Sequence, residues 1–295
     1  MPNADLVAEV SAWFVEHARE LPWRGLHVSP WGVLVSEVML QQTPVARVDP
    51  VWREWLARWP TPGELAAEPP GAAVLAWGRL GYPRRALRLH AAAGALVELH
   101  GGVVPADLAA LRALPGVGEY TAAAVLAFGF GQRTVVLDTN VRRVLGRVLA
   151  GVERPASGVT NAERAQAAAL LPLAAPAAAL WSVAVMELGA LVCSAAAPAC
   201  GRCPIADRCR WLTLNRPAAA TRRPAQRFAG TDRQVRGLLM AVLREADDQR
   251  EGSTKLALDA VWPDALQRDR ALDSLVADGL VQVRQGQRYR LPQHD

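Results

Sequence analysis

The chain has 295 residues, 51% of them hydrophobic, and a formal net charge of +5. That length allows a large core and about two domains, and no apolar run is long enough to span a bilayer. The slight basic excess suits a polyanionic partner, but with 28 acidic residues it matters only if it is unevenly placed. The opening MPNADLVAEVSAWF has no basic region or small-residue cleavage site of a secretory signal. The expected location is therefore the cytoplasm, with no membrane partner.

Helix signals dominate residues 4–192. Leu6, Val7, Val10, Trp13 and Phe14 recur at helical spacing. Pro30 to Gln42 is almost continuously apolar and predicts a buried helix that breaks before Pro44. Further helices are expected over 44–59, 82–99, 119–128, 139–149, 160–171 and 176–192. Residues 215–230, rich in Pro, Ala and Arg, carry no apolar period and read as a basic linker. Beyond it, Thr231 or Asp232 opens a helix over 231–245, followed by helices near 255–262 and 265–278. LVQVR and QRYRL then flank Gln285-Gly286, a hairpin signal. Helices followed by a hairpin resemble a winged-helix module.

Three constellations carry chemistry. In LPGVGEYTA, Gly116 and Gly118 flank Val117 just before a helical run. Glycines there permit a tight turn and close backbone approach, and the amides opening the next helix can hold a phosphate. The local residues leave this reading and an ordinary helix connection equally open. The four cysteines, Cys193, Cys200, Cys203 and Cys209, fall in one short segment. Disulfides are disfavoured in a reducing compartment. Zinc ribbons use two close pairs, whereas only one is present. Four thiolates are what a [4Fe–4S] cube requires.

The third constellation is a pair of carboxylates. Asp138 in VVLDTNVRRVL reads either as a helix N-cap or as a functional anion. Glu37 lies within the apolar WGVLVSEVMLQQTP, where an unpaired charge is costly and a carboxyl tends to hold its proton. Two carboxyls in unlike environments can divide the work of breaking a glycosidic bond. One protonates the leaving base, and the other faces the developing sugar cation.

Residues 21–209 resemble the catalytic core of the MutY-type adenine DNA glycosylases, members of the endonuclease III superfamily. The matching stretches, in order, are LPWR (21–24), SEVMLQQT (36–43), LGY (80–82), LPGVGEYTA (114–122), LDTNVRRV (137–144), MELGALVC (186–193) and the cysteine loop. The resemblance implies a mainly α, two-lobed helix–hairpin–helix core over 1–214, with a [4Fe–4S] loop at 193–209. The 215–230 linker and a small α+β winged-helix-like module at 231–295 would follow. It implies a monomeric, nucleoid-associated enzyme acting on double-stranded DNA with adenine opposite 8-oxoguanine or guanine. Glu37 is then the general acid and Asp138 the oxocarbenium stabiliser, with Tyr120 and Asn140 beside the sugar and pocket. Arg24 lines the pocket. Gln42 and Tyr82 wedge into the duplex with Thr43 and Leu80 nearby, and Gly116, Val117 and Gly118 meet a phosphate. Arg202, Arg208 and Arg210 of the cysteine loop are further candidates for phosphate contact. Bifunctional relatives carry a Schiff-base lysine after Glu119. Tyr120 stands there instead, so base removal without strand cleavage is expected.

Three departures qualify the resemblance. Pro83 replaces a second tyrosine, Val183 stands where a polar contact to adenine is common, and residues 231–295 are too few for the family's Nudix-like domain. Weaker discrimination between 8-oxoguanine and guanine is expected. Arg233, Arg236, Arg268 and Arg270 of the module fit either phosphate contacts or solvated helix faces. Two other functions stay open: a thymine or uracil mismatch glycosylase of the same superfamily, and a non-catalytic iron–sulfur DNA-binding protein.

Overall fold

A computed structural model describes residues 2–25, 27–219, 228–246 and 251–293. Of the expected linker, residues 220–227 lie outside the described residues. The chain is mainly helical. In order come α1 (Pro2–His17), α2 (Pro30–Leu40), α3 (Val45–Arg58), α4 (Pro62–Ala66), α5 (Pro70–Ala76), α6 (Arg84–His100), α7 (Leu108–Ala113) and α8 (Glu119–Phe130). Then follow α9 (Thr139–Leu145), α10 (Asn161–Leu170), α11 (Ala175–Leu191), α12 (Arg210–Thr213), α13 (Asp232–Arg244), α14 (Lys255–Asp259) and α15 (Ala265–Ala277). Three short strands, β1 (Ser253–Thr254), β2 (Gln282–Arg284) and β3 (Arg288–Arg290), form one sheet. The short helices α4, α5 and α12 were not anticipated, because four to seven residues display too little of a helical period to read. Among the described residues no helix is long and apolar enough to cross a membrane.

The chain divides into two compact units. The first comprises residues 1–33, 106–112 and 117–223. Its core joins Leu6 and Val10 of α1, Val141, Val144 and Leu145 of α9, and Trp181, Val185 and Leu188 of α11. Every residue of α8 from Thr121 to Ala127 is buried, which explains its lack of a polar face. Alanine dominates that run, so neighbouring backbones can pack closely without large side chains between them.

The second unit comprises residues 34–105, 113–116 and 224–295. Trp55 meets Trp59 and Trp77 edge-to-face, with ring centroids 4.7 and 5.8 Å apart. Leu65, Leu89 and Leu96 are fully buried with them. The C-terminal module belongs to this unit. In α13, Val235, Leu239, Met240 and Leu243 are buried at helical spacing, and Ala271, Leu272 and Leu275 are buried in α15. The expected hairpin forms with β2 and β3 antiparallel, Val283 opposite Tyr289. β1 adds to the free edge of β3 in the order β1-β3-β2. A two-residue strand leaves no trace in the residue pattern. The module is seated on α5 and α6: Gly71 N donates to Pro292 O at 2.6 Å, Arg244 Nε to Val74 O at 3.2 Å, and Arg84 pairs with Asp278 at 3.1 Å.

Candidate active site and cysteine loop

In the first unit Asp138 caps α9. Its backbone is extended, and Oδ1 accepts from Val141 N at 2.6 Å. Oδ2 accepts from Asn140 Nδ2 at 2.6 Å. Asn140 is fixed in turn, because its Oδ1 accepts from Arg143 Nη2 at 2.7 Å. Arg143 also donates to Gly189 O and Cys193 O, both at 2.7 Å. Burial pushes the Asp138 carboxyl above its ordinary range; the Val141 and Asn140 hydrogen bonds and the Arg143 charge oppose this. The N-cap reading of Asp138 is therefore correct, and the cap and Asn140 hold its carboxylate in one orientation. Gly189 makes the arrangement possible, since a Cβ there would lie 2.7 Å from the Asn140 Cβ. Sequence reasoning quoted Gly189 within a motif but gave it no role.

Arg24 and Glu187 form a second buried system in this unit. Arg24 Nη2 donates to Glu187 Oε2 at 2.9 Å, and its guanidinium lies 5.4 Å from the centre of the Phe14 ring. Arg19 grips the same carboxylate through Nε and Nη2, each at 2.7 Å. Against the cost of burial, these bonds hold Glu187 down at about 2. Glu187 was missed. Its signature, a glutamate within an apolar helix, is the one that singled out Glu37, and its arginine partners lie more than 160 positions away in the chain. Tyr120, the second residue of α8, packs half-buried against the cluster of Ala123, Ala124, Ala127 and Val136.

The hairpin between α7 and α8 has the expected form. Val117 is buried, and Gly118 caps α8 in extended conformation with no side-chain cap. Gly116 has φ +79°, and a Cβ there would meet the Arg88 Cβ at 2.8 Å, so both its backbone angle and its surroundings demand glycine.

In the second unit Glu37 is buried on α2 among Val33, Leu34, Val38 and Met39. The predicted wedge residues Gln42 and Tyr82 both have positive φ, +57° and +49°. Such conformations cost about 1–3 kcal/mol each for residues with side chains and cluster at functional sites. Tyr82 is 47% exposed. Both turns are tied to one buried cation, Arg85. Its Nη1 donates to the carbonyls of Val38, Met39 and Gln41, and its Nη2 to Thr43 Oγ1 at 2.8 Å and Gly81 O at 3.0 Å. The Arg85 guanidinium also faces the Trp77 and Tyr82 rings, and burial lowers it to about 10. Thr43 Oγ1 donates to Leu80 O at 3.2 Å, and both residues are buried. Arg85 carried no motif signal of its own, beyond lying three residues past Tyr82.

The four cysteines are free and line one pocket together with Val144, Leu188, Ile205 and Trp211. Arg147, fully buried, donates to Cys193 Sγ at 3.2 Å and to Ser194 O at 2.8 Å, and its guanidinium lies over Trp211 at 4.6 Å. Burial pushes the Cys203 thiol up to about 11 and raises Cys209 as well. Of the loop arginines expected to meet phosphate, Arg208 is already paired with Glu9 at 2.9 Å.

The HhH-GPD superfamily of base excision DNA repair proteins matches residues 35–168. An adenine DNA glycosylase of Mycolicibacterium smegmatis is 49% identical over 96% of this chain and 94% of its own length. One of Mycobacterium tuberculosis is 48% identical over 95% and 91%. The human adenine DNA glycosylase is 40% identical over 69% of this chain, which covers 40% of it. In fold the chain is similar to a thermostable thymine-DNA glycosylase (TM-score 0.65, 23% identity, covering 72% of this chain and 97% of that one). It is also similar to endonuclease III in a non-covalent DNA complex (TM-score 0.61, 24% identity, 72% and 95%).

Proposed function

Because the chain belongs to the adenine DNA glycosylases, within the HhH-GPD superfamily of base excision DNA repair proteins, we propose that it hydrolyses the N-glycosyl bond of adenine mispaired with 8-oxoguanine or guanine in duplex DNA. The observation that carries the mechanism is the fixed carboxylate of Asp138, gripped by Val141 N and Asn140 Nδ2. A pre-oriented anion stabilises charge that develops only in the transition state, at no cost of reorganisation. The sugar of a departing purine develops such charge. Glu37 is the proton donor: an adenine anion leaves poorly, and the carboxyl of Glu37, buried on α2, is a group that can deliver a proton to the leaving base. The adenine must first leave the base stack. Gln42 and Tyr82 enter the duplex beside it, and the backbone of Gly116, Val117 and Gly118 receives a phosphate.

The reaction stops at base removal. Imine formation needs an amine, and position 120 is a phenol. Lys255 is the only lysine in the chain, and it is held by Asp259 and Asp269, which raise it and keep it protonated.

A [4Fe–4S] cluster fits the residues present. Four thiols line one largely apolar space, and a buried guanidinium beside Cys193 offsets the charge that thiolates would bring. Cys193, Cys200, Cys203 and Cys209 would hold it, and it would supply cross-linking of the loop. Asp138 and Glu37 do the bond cleavage without it. The enzyme acts as a monomer on DNA in the cytoplasm.

The test is strand scission by hot alkali after incubation with duplexes pairing A, T or U with guanine or 8-oxoguanine. Scission at adenine alone, abolished by Glu37→Gln and by Asp138→Asn while duplex affinity is kept, is the expected result. Scission at thymine or uracil opposite guanine would replace the adenine reading with a pyrimidine mismatch activity, and none on any pair would point to a non-catalytic DNA-binding protein.

A further inference from the structure

The C-terminal module carries four arginines that suit DNA on sequence grounds. Three of them are spoken for. Arg236 pairs with Asp278 at 2.6 Å, Arg268 with Asp259 at 2.9 Å, and Arg270 with Asp232 at 2.8 Å. These pairs hold the module together. Arg233 differs. Among the described residues it has no carboxylate partner. Its guanidinium lies over the half-exposed Phe228 ring at 5.2 Å, and its Nη1 stands 3.5 Å from the hydroxyl of Tyr82. It occupies the first turn of α13, where the helix dipole disfavours a cation. An arginine held there without a counter-charge is poised for an incoming acceptor.

The contact with Tyr82 follows from how the module is seated. Asp278 pairs with both Arg236 of α13 and Arg84 of α6, two residues beyond Tyr82. Arg244, at the other end of α13, bonds the Val74 carbonyl of α5 and is half-buried, and that desolvation lowers it to about 10. The α13 helix is thus anchored towards both ends on the helices flanking the Tyr82 turn. The similarity to the mycobacterial adenine DNA glycosylases extends over 96% of the chain, and so into this module.

We propose that Arg233 is a specificity-determining residue: it donates hydrogen bonds to an oxygen acceptor of the nucleotide opposite the excised base, beside Tyr82. The inference rests on the reading in which Tyr82 enters the duplex. The acceptor is either a phosphodiester oxygen or a base-edge oxygen, since a guanidinium fork suits both. Phe228 supports the guanidinium from behind, leaving its donors facing outward.

The test uses the full chain and duplexes with 2′-fluoro-deoxyadenosine, whose fluorine disfavours the sugar cation and prevents cleavage, opposite 8-oxoguanine or guanine. Affinity is measured across a salt series for the wild type, Arg233→Gln, Tyr82→Ala and, as a control for module integrity, Arg270→Gln. Arg233→Gln is expected to weaken binding about ten-fold with its melting temperature kept at the wild-type value. A base-edge contact predicts a loss confined to one opposite base. A phosphate contact predicts equal loss on both duplexes and a salt slope shallower by about 0.9. Unchanged affinity, slope and discrimination in Arg233→Gln would overturn the proposal. If Tyr82→Ala weakens binding in that case, the duplex-entry reading survives and only the role of Arg233 falls. If neither variant has an effect, both fall.

Discussion

Asp138 and Arg143 grip the two ends of one side chain. Asn140 Nδ2 donates to Asp138 Oδ2 at 2.6 Å, and Asn140 Oδ1 accepts from Arg143 Nη2 at 2.7 Å. Arg143 also holds Cys193 O, so the orientation of the carboxylate is tied through two side chains, Asn140 and Arg143, to the first residue of the cysteine loop. The charged centre is built from α9 and the end of α11 together.

Asn140→Ala should therefore slow adenine release without abolishing it. Losing a hydrogen bond to a charged group costs about 1.5–3 kcal/mol, or a rate loss of roughly 10- to 150-fold. Asp138 must be ionised to stabilise a cation, and burial already raises it while Asn140 holds it down. Removing that donor raises it further. The acid limb of the single-turnover pH–rate profile should move to higher pH in Asn140→Ala. An unmoved limb would show that Asn140 does not act on the Asp138 charge.

Glu187 should matter for stability. Its carboxyl is held near 2 by Arg19 and Arg24. A depressed carboxylate contributes stability that is present above its unfolded value near 4.3 and lost as pH falls towards 2. Glu187→Gln leaves two partly exposed arginines without their partner and, discounted for the water that reaches them, should destabilise by about 1–3 kcal/mol. The gap in melting temperature between wild type and variant should close as pH is lowered through that window.

Arg85 tests whether one buried cation positions both exposed turns. Lysine keeps the charge but cannot reproduce a planar fork donating to five acceptors. Arg85→Lys is expected to lower the melting temperature and raise KM for mismatched duplex more than it lowers kcat. A fall in kcat with KM unchanged would place its role at the chemical step instead.

Tyr120→Lys should gain a borohydride-trappable covalent complex with abasic DNA, whereas the wild type gives none. The gain should persist in a Tyr120→Lys, Lys255→Arg double variant, which assigns the imine to position 120. Trapping in the wild type that disappears in Lys255→Arg would contradict the role given to that ion-paired lysine.

Purified protein should be brown and contain iron, and Cys203→Ser should lose both colour and the protease resistance of residues 193–213. A colourless, zinc-containing protein would remove the iron–sulfur reading while leaving the carboxylate chemistry untouched.

Much was legible in the residues alone. Long helices showed themselves by apolar recurrence, α2 by its unbroken apolar run, and the β2–β3 hairpin by Gln285-Gly286 between strand-like runs. The cysteine spacing and the LPGVG turn are local signals, because their function depends on neighbours within a few positions. Asp138 was legible as both N-cap and candidate anion, and the structure shows the N-cap. Arg85, Glu187 and Gly189 were not legible in this way. An arginine near a turn, a glutamate in an apolar helix and a glycine in a long helix each admit several roles until their partners are known.

What the residues determined by themselves was therefore the set of elements and the chemical inventory: local propensity, turn chemistry and motif spacing act over a few positions. Only tertiary structure decided which charges are neutralised. It paired Glu187 with arginines from the start of the chain, consumed Arg236, Arg268 and Arg270 within their own module, and left Arg233 beside Tyr82. Ion pairing depends on distance in space and on exclusion of water, and neither is encoded in any short stretch of sequence.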